Sequence, residues 1–220
     1  FIGSHTCLLL LEKGFTIFIL DSFSNSSIKS LENVLEILKR KGLDIEGKLH
    51  IIEGDLKNKG DLEKVFEISS EFNTKIEAVI HFAGFKSVFD SIIMPITYWE
   101  NNIVGTLNLL KTMEKFNCKN IVFSSSATVY KSKLNKLLNE NDYCEPVNPY
   151  GQTKLSVEKL LDNLYQSAPS DWRIACLRYF NPVGAHKSGL IGEDPLGKPN
   201  NLFPLITRVA IGKLEKIEIL

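Results

Sequence analysis

The chain has 220 residues, 44% of them hydrophobic and 24% charged, and its 26 basic residues are balanced by 26 acidic ones. The charges are scattered, which leaves no electrostatic footprint for nucleic acid or an anionic membrane, and the longest apolar run, Cys7 to Leu11, is too short to span a bilayer. Such a chain is expected to be a soluble cytoplasmic protein with one large α/β domain and a substantial core.

Cys7, Cys118, Cys144 and Cys176 are widely spaced, and His5, His50, His81 and His186 are equally dispersed. That pattern fits reduced thiols better than a disulfide framework, and no metal is expected. The chain opens on Phe1 without an initiator Met and closes on Lys216-Ile217-Glu218-Ile219-Leu220, which reads as mid-strand, so a fragment at both ends is expected.

In chain order, Ser4 to Lys13 reads as a helix stopped by Gly14, and Phe15 to Leu20 as a β-rich strand closed by Asp21. Helix, glycine, strand, acid is the order of a dinucleotide-binding unit, with Gly3 as its last glycine and Asp21 as the acid that takes ribose hydroxyls. A plain helix and strand with Asp21 in a turn fits equally well. Ile28 to Lys41 is an amphipathic helix through Leu31, Val34, Leu35 and Leu38, stopped by Gly42.

The stretch His50 to Leu56 is a short strand ending in a Gly-Asp turn, where Asp55 could take an adenine amino group with Leu56 against the ring, or merely close the turn. A helix over Asp61 to Phe72 leads to the buried-type strand Ala78 to Phe82, closed by Ala83-Gly84, small residues on which a flat cofactor can lie. Lys86 could reach a phosphate or ribose, or stand in solvent, and His81 reads as a packed strand residue. Pro95 to Phe116 reads as one long helix, and the strand Asn120 to Phe123 runs into Ser124-Ser125-Ser126, either a hydroxyl platform or a polar turn.

From Asn148 to Glu158 the chain reads Asn-Pro-Tyr-Gly-Gln-Thr-Lys-Leu-Ser-Val-Glu. Pro149 suits a first helical turn, and Leu155, Leu160, Leu161 and Leu164 recur at helical spacing. Tyr150 and Lys154 then stand one turn apart on one face, where an ammonium could lower the phenol pKa from its usual value near 10, although the same spacing also serves ordinary surface pairs. A strand over Arg173 to Arg178 follows, then a Gly- and Pro-rich loop from Ala185 to Pro199 on the substrate side, and a helix capped by Asn200 or Asn201 running through Ala210. Alternating strands and helices imply a Rossmann-like, doubly wound parallel sheet.

The combination of Ser126, Tyr150 and Lys154 behind a dinucleotide half-motif resembles the extended short-chain dehydrogenase/reductase superfamily. Within it, Phe1 to Thr6, Val79 to Gly84, Phe123 to Tyr130, Leu177 to His186, Gly192 to Pro195 and Pro199 to Leu202 resemble the UDP-glucose 4-epimerase family across nearly the whole chain. The resemblance implies C4 epimerisation of a UDP-hexose through a transient 4-keto sugar with tightly held NAD, in a homodimer. It implies Tyr150 as catalytic base, Lys154 as its partner on the nicotinamide ribose, and Ser126 on the sugar's 4-hydroxyl. Phe1, Ile2, Gly3, Asp21, Ser22, Phe23, Ser24, Asn25, Ser26, Asp55, Leu56, Phe82, Ala83, Gly84, Phe85, Lys86, Asn101 and Phe180 would join Ser126, Tyr150 and Lys154 in lining NAD. Lys86, Asn181, Asn200, Asn201 and Leu202 would join Ser126 and Tyr150 in facing the nucleotide sugar.

By the same resemblance, residues 1–180 form an NAD-binding domain whose first strand is missing, and residues 181–220 begin a smaller substrate-binding part. A chain without that central strand is expected to retain no NAD and to aggregate. Phe89-Asp90, Lys131 and Gln152-Thr153 depart from the family's usual Gly-Glu, Gly and Lys-Ser. A 4,6-dehydratase would need an acid and a base where Ala127-Thr128 stand. Uronate or N-acetylhexosamine epimerases and a noncatalytic dinucleotide-binding module remain the competing readings.

Overall fold

The computed structural model describes residues 1–131, 137–195, 199 and 201–217. In chain order the elements are α1 (Ile2–Glu12), β1 (Ile17–Asp21), α2 (Lys29–Arg40), β2 (Leu49–Glu53), α3 (Lys59–Glu71), β3 (Val79–His81), α4 (Val88–Ile93) and α5 (Pro95–Trp99). A π-helical turn, Glu100–Val104, leads into α6 (Gly105–Lys115), followed by β4 (Asn120–Ser126), a 3-10 turn (Ala127–Val129), α7 (Pro149–Ser167), β5 (Arg173–Tyr179) and α8 (Leu202–Ala210). Strands β1 to β5 pair in parallel, in the order β1-β2 in one sheet and β3-β4-β5 in another, and isolated antiparallel bridges join Tyr130 to Cys144 and Ala185 to Gly192. This is a Rossmann-like α/β fold.

The chain divides into two compact units, one of residues 1–53 with 181–220 and one of residues 54–180. In the first, Leu8 and Leu11 of α1 pack with Val34, Ile37 and Leu38 of α2 and with Ile191. Both helices stop at the glycines that the sequence marks. After α1, Gly14 at φ +85° lets its own N–H reach Leu11 O at 2.9 Å and that of Phe15 reach Leu10 O at 3.1 Å, a paired C-cap that satisfies two terminal carbonyls. Gly42 does the same for α2 through Lys39 O and Leu38 O. The Gly- and Pro-rich loop, expected on the substrate side, inserts Ile191 into this core, and Asn33 Nδ2 donates to Leu190 O at 2.7 Å.

In the second unit three expectations change. Pro95 to Phe116 is not one α-helix but α5, the π turn and α6, and a further helix, α4, precedes it. The three serines lie inside β4 as its last three residues, paired with Leu177, Arg178 and Tyr179 of β5. On α7 the buried stripe is Tyr150, Thr153, Lys154, Val157 and Leu161 together with Gly151, so polar residues carry the face that packs inward while Leu155, Leu160 and Leu164 lie at its margins. The strand reading at Lys216 to Leu220 falls largely outside the described residues, as does Asn200.

Candidate active site

The constellation begins with a cap. Asn148 is extended, as the residue before proline prefers, and its Oδ1 accepts from Gly151 N at 2.8 Å, while Pro149 opens α7 where no N–H is needed. Gly151 is required by contact: a Cβ there would stand 2.5 Å from Thr128 O and 2.9 Å from Pro146 Cβ. The helix start is thereby seated against the 3-10 turn that follows Ser126.

Tyr150 is 8% exposed and Lys154 5% exposed. Lys154 Nζ donates to Ser124 O at 2.8 Å and stands 4.8 Å from the centre of the Phe123 ring. Burial lowers its pKa to about 8, so the ammonium persists at neutral pH. For Tyr150 the expected lowering of the phenol pKa is not what the structure gives. Burial raises it, and a hydrogen bond with Ser126 opposes the rise. The physical reason is the depth at which the phenol is buried, while Lys154 Nζ lies 5.9 Å from the Tyr150 ring centre and donates to Ser124 O. Ser126 Oγ also accepts from Thr128 N at 3.2 Å and Thr128 Oγ1 at 3.0 Å.

The backbone after β3 is held by a side chain that sequence reasoning passed over. Buried Asn102, in the π turn, accepts from Phe85 N at 2.9 Å and donates to Phe85 O at 3.1 Å, and it donates to Thr153 Oγ1 at 3.1 Å. Thr153 Oγ1 in turn donates to Tyr150 O at 2.7 Å, so the Thr that departs from the expected Ser keeps a working hydroxyl. Asn101, the residue singled out from the sequence, donates to Asn102 Oδ1 at 3.1 Å. Thr106 Oγ1 commits its proton to Asn102 O at 2.6 Å, so His81 Nε2, 2.9 Å away, is the donor to that hydroxyl. Burial and the nearby Lys154 hold His81 neutral, with a pKa of about 3. It is a packed strand residue, as read.

Gly84 has φ +149°, and a Cβ there would lie 3.2 Å from Asn102 Oδ1 and 3.5 Å from Lys154 Nζ. This leaves a bare backbone surface beside the ammonium. Phe82, Gly84 and Phe85 are partly buried around it, Phe85 lies 5.5 Å from the Tyr98 ring, and Ala83 and Lys86 are exposed. Asp55 closes its turn by accepting from Lys57 N at 2.8 Å, and Leu56 lies against Gly105, where a Cβ would come within 3.1 Å of it. Phe180 is exposed.

In the first unit, Asp21 ends β1, and its Oδ1 accepts from Phe23 N at 2.8 Å and Ser26 Oγ at 2.9 Å. These bonds shape the loop from Ser22 to Ser26, in which Ser22 and Ser24 hydroxyls meet at 3.0 Å and Asn25 is exposed. Phe1, Ile2 and Gly3 are partly buried at the start of α1. Asn201 Nδ2 donates to Glu193 Oε1, so it does not cap α8 with its side chain, while Asn181 and Leu202 are exposed.

A parallel α/β fold with a serine at the end of β4 and a Tyr/Lys pair one turn apart on the following long helix defines a short-chain dehydrogenase/reductase. The chain belongs to the family described as GDP-mannose 4,6 dehydratase, whose model matches residues 1–219. It is 48% identical over 219 residues to the bifunctional UDP-glucose 4-epimerase and UDP-xylose 4-epimerase 3 of Arabidopsis thaliana, covering 100% of this chain and 60% of that protein. It is equally 48% identical to the UDP-glucose 4-epimerase of Bacillus subtilis (strain 168), covering 100% of this chain and 61% of that one. Among solved structures, the UDP-glucose 4-epimerase from Bifidobacterium longum in complex with NAD+ and UDP matches with a TM-score of 0.87 and 43% identity, over 98% of this chain and 61% of that chain. The chain therefore spans about three fifths of the length of these relatives.

Proposed function

We propose that the protein interconverts UDP-glucose and UDP-galactose by epimerisation at C4, using tightly bound NAD. The observation that carries this reading is the buried Ser126–Tyr150–Lys154 arrangement in a chain 48% identical to named UDP-glucose 4-epimerases. The residues present suit the cofactor. Gly84 offers backbone with no side chain beside Lys154 Nζ, an ammonium with protons to spare for ribose hydroxyls. Asp21, at the end of β1, has its Oδ2 to offer a second ribose. The assignments for Phe1 to Gly3, Ser22 to Ser26, Asp55, Leu56, Phe82 to Lys86, Asn101 and Phe180 on NAD, and for Asn181, Asn200, Asn201 and Leu202 on the nucleotide sugar, are part of the same proposal.

The chemistry NAD supplies when bound is acceptance and return of the C4 hydride, and its oxidised ring is itself a cation. Tyr150 takes the 4-hydroxyl proton and later returns it to the same oxygen, once the configuration at C4 has inverted. Ser126 hydrogen-bonds the reacting oxygen, and Lys154 keeps positive charge near the Tyr150 phenolate that accepts the proton. The neutral sugar is restored with no net oxidation. Elimination of water, the reaction for which the family is named, needs an acid and a base after Ser126, and Ala127 and Thr128 supply neither.

We further infer a homodimer acting in the cytoplasm, with residues 1–180 serving NAD and 181–220 opening the substrate-binding region. The exposed apolar side chains of Phe89, Ile92 and Ile96 support self-association, and four free cysteines support a reducing compartment. The bifunctional Arabidopsis relative favours a second reading, in which a UDP-pentose is epimerised at the same carbon. Supplying UDP-galactose and UDP-xylose separately to the complete gene product tests both. Formation of UDP-glucose from the first supports the proposal, and turnover of the pentose alone replaces it.

A further inference from the structure

Three residues of α7 one turn apart, Tyr150, Lys154 and Glu158, meet three consecutive residues of β4. Tyr150 bonds with Ser126, and Lys154 Nζ donates to Ser124 O at 2.8 Å. Ser125, 2% exposed, donates its hydroxyl to Glu158 Oε1. The reaction assigned to the site uses the first two contacts and leaves the third without a role. Directly across the sheet from Ser125 stands Arg178 of β5. Its Nη2 donates to Glu158 Oε2 at 2.8 Å and its Nε to Glu158 Oε1 at 3.0 Å. The remaining arm reaches Tyr130 OH at 2.6 Å and Glu140 O at 3.0 Å, next to the loop that leads back to α7.

We propose that Glu158, held by Arg178 and bonded to Ser125, is a positioning residue that fixes the register of the catalytic helix along β4 and so sets the Tyr150–Ser126 hydrogen bond. The inference rests on the epimerase reading and deepens it. A forked guanidinium on a carboxylate restricts both position and angle, which a single hydrogen bond does not. The carboxylate is also the α7 side chain that joins both neighbouring strands. Because Glu158 lies two turns beyond Tyr150, a slip of the helix against the strand would change the phenol's distance to Ser126 Oγ directly. Such misplacements of about 1 Å cost catalysis up to ~10²-fold without touching the reacting groups.

The test uses the complete gene product with Ser125→Ala, which deletes the link to β4 and leaves the part-buried Glu158–Arg178 pair intact. Tyr150 is titrated by phenolate absorbance, as the difference between each protein and its Tyr150→Phe counterpart. Lys154 and Tyr98 are the titrating neighbours that both members share. With the Ser126 bond loosened, the Tyr150 midpoint moves upward, kcat falls about tenfold and KM stays near that of the parent protein. Ser125→Thr, which keeps the hydroxyl, restores the midpoint. An unmoved midpoint with unchanged kcat overturns the proposal, even if the melting temperature drops, because a purely structural link would lower stability alone. Should Ser125→Ala fail to fold, Glu158→Gln is read by the same two criteria. If the parent protein does not epimerise UDP-galactose, the functional reading falls, while the titration still decides whether Ser125 positions Tyr150.

Discussion

Lys154 is held where an ammonium is costly, buried against the Phe123 ring with Ser124 O as its hydrogen-bond acceptor. Its pKa falls from 10.5 to about 8 on folding, so between those values the unfolded chain binds more protons than the folded one. Stability from this group therefore rises with pH across that window and is lost again as pH falls toward 8. Lys154→Met is expected to remove that slope and to melt higher than the parent at neutral pH, while activity drops by a factor of about 10² to 10⁴. Calorimetric melting at several pH values checks the first effect, and a Met variant less stable at neutral pH would contradict it. Tyr150→Phe is expected to lose activity by about 10² to 10⁴ with folding intact, read from initial rates. The spacing of Tyr150 and Lys154 placed them on one helix face, but their proposed roles, and the choice of Ser126 among three serines, rested on the resemblance to a known family and not on spacing. Asn102, Glu158 and Arg178 were not legible in the sequence, since what makes them matter is contact with Thr153, 51 residues away, and Ser125, 33 residues away. The sign of the Tyr150 shift was also illegible, because spacing shows a neighbouring charge and not how deeply the phenol is buried.

At the scale of elements, glycines separate two kinds of constraint. Gly151→Ala would drive a methyl into Thr128 O at 2.5 Å and is expected to cost about 1–3 kcal/mol, with activity falling as the start of α7 shifts. Gly42→Ala meets nothing within 4 Å, but its φ of +68° makes it cost about 1 kcal/mol with activity unchanged. Denaturant midpoints and rates on the two variants would expose an error if both or neither lost activity. Helix ends at Gly14, Gly42 and Pro149 were readable because caps are local chemistry. The π turn at Glu100–Val104 was not, because nothing in the periodicity of Pro95 to Phe116 marks a helix whose extra residue goes to aiming Asn102 at Phe85 and Thr153.

For the whole molecule, the parallel α/β class followed from alternating strands and helices. The grouping of residues 181–220 with 1–53 did not, since it depends on contacts such as Asn33 to Leu190, 157 residues apart. The apolar side chains on α4 and α5 bear on assembly, with Ile96 82% and Phe89 69% exposed. If the proposed homodimer forms through this patch, Ile96→Asp is expected to convert the complete protein to monomers in sedimentation velocity, and an unchanged dimer would place the contact elsewhere. The proposed epimerisation requires that one hydride leave C4 and return to it. UDP-galactose carrying tritium at C4 tests this directly. UDP-glucose with the label retained at C4 is expected, and label released to water, or reduced cofactor accumulating with each turnover, would contradict the proposed reaction.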